Sequence, residues 1–141
     1  MVLTDYAENK IYDALLRGQA LGNPATWHVA LSTSLRSDSA APVEPAGNGY
    51  ARVAVAASLA NFSGTQAAGS TVASTGTDGT GENNVVITFP TSTGAWGNIQ
   101  SVWFMDALAA GNGWISIDLN SPLNVSGAGF TPKFENGQLS F

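Results

Sequence analysis

The spacing of apolar residues changes once along this chain, at Asn23-Pro24. Before that point Leu3, Ala7, Ile11, Ala14 and Leu15 recur at intervals of three and four, the stripe of a helix with 3.6 residues per turn. Beyond it Trp27, Val29 and Leu31 alternate with His28, Ala30 and Ser32, the period of a strand with its first set turned inward. A chain with one helical stretch followed by period-two stretches folds as a mainly β protein whose single helix needs a surface to lie on.

The helix is expected over about residues 4–17. Thr4 or Asp5 caps its start, Asp5 and Glu8 stand at capping-box spacing, Arg17 suits the C-terminal dipole, and Gly18 supplies the left-handed residue that ends it. Its partner is either its own sheet or a neighbouring subunit. Tyr50 to Ala57 resumes the strand alternation, with Tyr50, Arg52 and Ala54 on one face and Ala51, Val53 and Val55 on the other. Val85 to Phe89 is a strand by its β-branched content, closed by Pro90. Ile99 to Asp106 and Gly113 to Leu119 form a hairpin through Ala109-Ala110-Gly111-Asn112, and Pro122, Gly127 and Gly129 break up the stretch after it. Near the end, Asn136-Gly137 predicts a type I′ turn that sets Glu135 against Gln138 and Phe134 against Leu139, with Phe134, Leu139 and Phe141 on one face.

Two stretches carry no apolar period: a Ser/Pro-rich loop from Ser34 to Asn48, and a run from Ser63 to Asn84 made almost entirely of Gly, Ser, Thr, Ala and Asn. The second is either an arm that orders on a neighbour or a solvated excursion. One helix and seven or eight short strands between turn residues give an antiparallel β-sandwich, jelly-roll-like, over about residues 25–141, in a single domain spanning 1–141.

Composition narrows the function. Charged residues are only 11% of the chain, against roughly 25% in ordinary soluble domains. Such a surface packs against other proteins at low desolvation cost, which implies permanent assembly; the alternative is a monomer with a polar, weakly charged coat. The net charge is −5, and the five bases, Lys10, Arg17, Arg36, Arg52 and Lys133, are scattered, so there is no stripe for nucleic-acid phosphates. Cysteine is absent, which removes disulfides and thiolate chemistry. No apolar run is long enough to cross a bilayer and the first residues do not form a signal sequence, so neither membrane insertion nor signal-directed export is expected.

Catalysis finds little to work with, and a non-enzymatic chain without cofactors is expected. His28 is the only histidine and lies mid-strand with no nucleophile motif around it. Asp106 and Asp118 are the one carboxylate pair worth weighing for glycoside cleavage, with hairpin-rim roles the preferred reading. Asp78, Glu82, Asn83 and Asn84 offer oxygen ligands, but their spacing fits no calcium loop, and GTDGTG lacks the lysine of a phosphate loop. Trp103 and Phe104 are adjacent in a strand and point to opposite faces, so one of them leaves its own core; Trp103 is the interface candidate on that ground.

The blocks LTDYAENKIYDALLRG, PATWHVALSTS, EPAGNGYARVAV and ITFPTSTGAWGNIQSVWFMDA, in this order and covering most of the chain to Ala107, resemble small virion proteins of tailed bacteriophages labelled tail-fibre-like or capsid decoration (cement) proteins. The resemblance implies a β-sandwich, assembled as a homotrimer. It would sit on the outer surface of the head or, less favoured, at the tail, after assembly in the host cytoplasm. True fibres are long and repetitive whereas this chain is short and repeat-free, which favours a cement protein that stabilises the shell through the major capsid protein and itself. The alternative is a tail-associated fibre or adhesin that binds the host surface. Glu44, Tyr50, Arg52 and Trp96, in the matching blocks, are the further interface candidates, with turn and core packing as their alternative role.

Overall fold

A computed structural model of the chain describes every residue except Asp78. Strands β1 (Val2–Leu3), β2 (Thr26–Ser32), β3 (Val53–Ala56), β5 (Gly97–Met105) and β6 (Gly113–Val125) build one antiparallel sheet in the order β1-β6-β5-β2-β3. Strands β4 (Ile87–Thr88) and β7 (Lys133–Phe134) form a second, two-stranded sheet. The fold is mainly β, sandwich-like and not a closed barrel. The second layer is short, and loop segments complete it.

Alternation decides which side chains meet. Val29 and Leu31 of β2, Val102 and Phe104 of β5, and Ile117 of β6 turn inward against Ile87, Phe89, Phe134 and Leu139, all in one core cluster. Burying a large apolar side chain contributes roughly 1.5–3 kcal/mol, so this cluster dominates stability. The expected strand at Tyr50–Ala57 is regular only over β3. Tyr50 does not stay on the outer face with Ala54; it packs against the core, because the chain bends before Val53.

The outer face of the sheet is also covered, by the chain itself. Ala30, Trp103 and Met105 form a second small cluster there, and three buried serines act as pegs for the loop that comes after β2. The Ser101 hydroxyl donates to the Ser34 carbonyl at 2.7 Å, Ser32 Oγ accepts from the Val43 amide at 3.0 Å, and the Ser116 hydroxyl donates to the Ser37 carbonyl at 3.4 Å. Beside Trp103 and Met105 this face carries Ala30 and the three serines, small enough for a loop to lie close on it.

Helix α1 (Asp5–Leu16) starts where expected. Thr4 caps it, accepting from the Ala7 amide at 3.2 Å while its hydroxyl donates to the Gly113 carbonyl at 2.6 Å. Gly18 takes a φ of 68° just beyond its end, the left-handed conformation that L side chains avoid. Only the first half of the helix is held to the body: Tyr6 meets Trp114 edge-to-face at 5.5 Å, and Ala7 is the one buried residue of α1.

One local expectation is corrected. Gly137 has positive φ but Asn136 does not, so the turn is not type I′, which needs both. The Gln138 amide does donate to the Glu135 carbonyl, at 3.1 Å. The arms then part: Phe134 pairs with Ile87, while Ser140 bridges to Glu82. Phe134 and Leu139 still both reach the core. The run from Ser63 to Asn84, for its part, folds back on itself. Its base is clasped by the Ser63 amide donating to the Glu82 carbonyl at 2.8 Å and the Asn84 amide to the Asn61 carbonyl at 2.8 Å, and the Gln66 amide group donates to Ser70 Oγ at 2.7 Å.

Candidate functional site

Four of the five interface candidates from the sequence converge on one place. Glu44 and Arg52 form an ion pair, with Nε to Oε2 at 3.0 Å. The Arg52 guanidinium also donates to the carbonyls of Ala107 and Ala110, at 2.6 and 2.8 Å. Tyr50 donates its hydroxyl proton to Glu44 at 2.8 Å and accepts from the Leu31 amide at 2.9 Å. Its ring meets Trp96 edge-to-face at 5.3 Å, and the Trp96 indole donates to the Asn48 carbonyl at 2.8 Å.

This group is an internal brace. It ties the segment before β3 to β2 and to the turn between β5 and β6, and it uses most of its polar capacity in doing so. Burial, and beside it the Glu44 carboxylate, pushes the Tyr50 phenol above its ordinary range, so the tyrosine stays a neutral donor. Trp96 is 5% exposed and Trp103 1%, so both are buried within the chain, Trp96 in the core-packing role that was its alternative. Trp103 does leave the main core, as the alternation requires, but its own loop at Asp38–Ala41 and the start of α1 close over it, and its indole donates to Ser101 Oγ at 2.9 Å.

The residues weighed for chemistry are likewise absorbed. Asp106 caps the β5–β6 turn, accepting from the Asn112 amide at 2.7 Å. Burial raises its pKa, but hydrogen bonds from the Asn112 side chain, the Asn112 backbone and the Trp114 indole outweigh this and hold it below the usual carboxylate value. Asp118 pairs with Arg36, 3.3 Å from its Nε. Asp118 lies across from Ser101, which puts it five strand positions, roughly 17 Å, from Asp106, too far for carboxylates that share a glycosidic bond. His28 stands between Ala54 and Met105, and its Nδ1 is buried without a partner. Of the four oxygen-bearing residues in the glycine-rich run, Asp78 lies outside the described residues, and Asn83 is fully buried and engaged in holding the C-terminal segment. Among the described residues no cluster of three or more metal-ligating side chains exists.

What the sequence pattern did not reveal is the far half of α1. Tyr12, Leu15 and Leu16 are 56%, 76% and 73% exposed, and at spacings of three and four they form one continuous apolar surface. Leu15 belongs to the stripe expected to face inward. The signal was present: from Ile11 to Leu16 every residue but Asp13 is apolar, and a helix end that is apolar all round must be covered on more than one side. Its own sheet reaches only the Ala7 side.

Against known proteins, the chain matches over residues 2–141 the family model described as podophage GP4 fiber I protein gp80. No curated protein matches it.

Proposed function

The chain belongs to the podophage GP4 fiber I protein gp80 family, a family of phage structural proteins of the virion, and from that premise we propose that it is a non-enzymatic building block of the tail fibre apparatus. The family description favours a fibre over the cement role at the head shell, and with it a fibre neighbour over the major capsid protein. The observation that carries the reading is the uncovered apolar end of α1. Soluble monomers seldom leave three large apolar side chains side by side at such exposure. A component that is permanently covered by another chain has no such constraint. The neighbour is a second fibre protein or another copy of this chain, the homotrimer implied by the resemblance being one form of such self-contact.

The brace around Glu44, Tyr50 and Arg52 fits this role without joining the contact. It ties the segment that leads into the β3 edge of the sheet to β2 and to the β5–β6 turn.

Labelling intact particles with an antibody to this chain tests the proposal. Label at the tail, in a small number of copies, is expected; label spread over the head in hundreds of copies would return the protein to shell decoration.

A further inference from the structure

Strand β6 carries an irregularity that the fold does not need. Asp118 pairs with Ser101 and Leu123 with Ile99, so Leu119, Asn120, Ser121 and Pro122 all stand opposite Gln100 alone. The bulge swings these residues out of the sheet, on the edge that β1 leaves open beyond Ser116. Between the bulge and the C-terminal segment lies a cavity of about 360 Å³, lined among others by Arg36, Asp118, Leu119, Asn120, Gln138 and Ser140. Sites for small ligands begin at about this size.

The chemistry of the lining selects the ligand. Arg36 and Asp118 neutralise one another, with the Arg36 amide also donating to Asp118 at 2.7 Å, so this wall carries no net charge; Met1 also lines the cavity. Asn120 and Ser140 make no side-chain hydrogen bond within the described chain, which leaves an amide and a hydroxyl free beside a carboxylate able to accept more. Leu119 and the buried Ile117 add an apolar strip. Adjacent donors and acceptors around a small apolar strip match the alternating hydroxyls and C–H face of a sugar ring. A β-strand from another copy is the competing occupant of an open sheet edge, but the bulge breaks the ladder and Pro122 has no amide proton to offer.

We propose that this groove binds a neutral saccharide. Binding is a property of the chain itself; only the identification of the sugar's source with the host surface rests on the fibre reading.

Amide spectra of the full chain, titrated with glucose, galactose, rhamnose and N-acetylglucosamine, test it. Shifts centred on residues 118–121 and 138–140 are expected with at least one of the sugars. The Asn120→Ala/Ser140→Ala variant, whose two side chains are exposed and brace nothing, should bind it about tenfold more weakly. Absence of shifts with all the sugars, shifts elsewhere, or shifts that track protein concentration in place of sugar would each overturn the proposal, the last by showing that a second copy fills the groove. Saccharide binding by a chain absent from the tail would sink the fibre reading and leave the groove standing; a chain found in the tail that ignores every sugar would do the reverse.

Discussion

Helix α1 and the glycine-rich run from Ser63 to Asn84 fold opposite to their sequence signals. The helix has the clearest apolar pattern in the chain, yet its last turn buries almost nothing. The run has no apolar pattern, yet its base is tied down by Ser63, Asn83 and Asn84 and its interior by Gln66. An amphipathic stripe states that a surface will be covered without saying by which chain. A polar run can be held firmly when its own hydrogen-bonding groups close on one another.

The largest effect expected on the free chain lies in the run. Asn83 accepts from the Leu139 amide at 2.8 Å and donates to the carbonyls of Val85 and Glu135, both at 2.9 Å, with no exposure to water. Asn83→Ala strands the buried Leu139 amide, at about 1–3 kcal/mol, and leaves the part-buried carbonyls of Val85 and Glu135 to find water, so a loss of about 2–3 kcal/mol is expected. Denaturant unfolding measures it. A loss under about 1 kcal/mol would mean that the run is not held and that the contrast with the helix is false.

How far the sequence revealed this is clear from particular residues. The helix start at Thr4, the β5–β6 hairpin and the inward set Trp27, Val29 and Leu31 were all legible, because each rests on local period or turn chemistry, whereas the expected break-up of the strand at Pro122 gives way to a β6 that runs on through a bulge to Val125. The covering of Trp103 was not legible. It depends on serines at Ser32, Ser101 and Ser116, far apart in sequence, which bind a loop with no pattern of its own. Glu44, Tyr50, Arg52 and Trp96 were picked out as a group and do meet, but inside the chain. Residues that attract notice by chemical type are as often a brace as a contact, and only their partners tell the two apart. Asn136-Gly137 misled in a smaller way: the turn formed, but long-range pairing of Phe134 with Ile87 separated its arms.

An intermediate effect is expected at the anchored end of the helix. Thr4 caps α1 and donates to Gly113, so Thr4→Ala removes a cap and a bond to β6 together, at about 1–2 kcal/mol. Hydrogen exchange should speed up in Ala7 and Glu8 while the core strands keep their protection. If exchange rises equally in the Ser63–Asn84 run, the two regions are one cooperative unit and the comparison dissolves.

The smallest effect on the free chain, and the most telling, belongs to Leu15→Glu with Leu16→Glu. Both side chains already stand in water, so their replacement should move the unfolding free energy by less than about 0.5 kcal/mol. In the particle the same pair would place two carboxylates in an apolar contact, where an unpaired buried charge is not tolerated. Virions grown with only the double variant should therefore carry less than about a tenth of the normal amount of this chain, a tenfold loss that needs only about 1.4 kcal/mol of weakened contact. Normal incorporation of a normally folded variant would show that the apolar end of α1 is not covered in the virion, and the contrast with the self-closed run would lose its functional meaning. Loss of folding in the free chain would instead show that the helix was held by its own sheet.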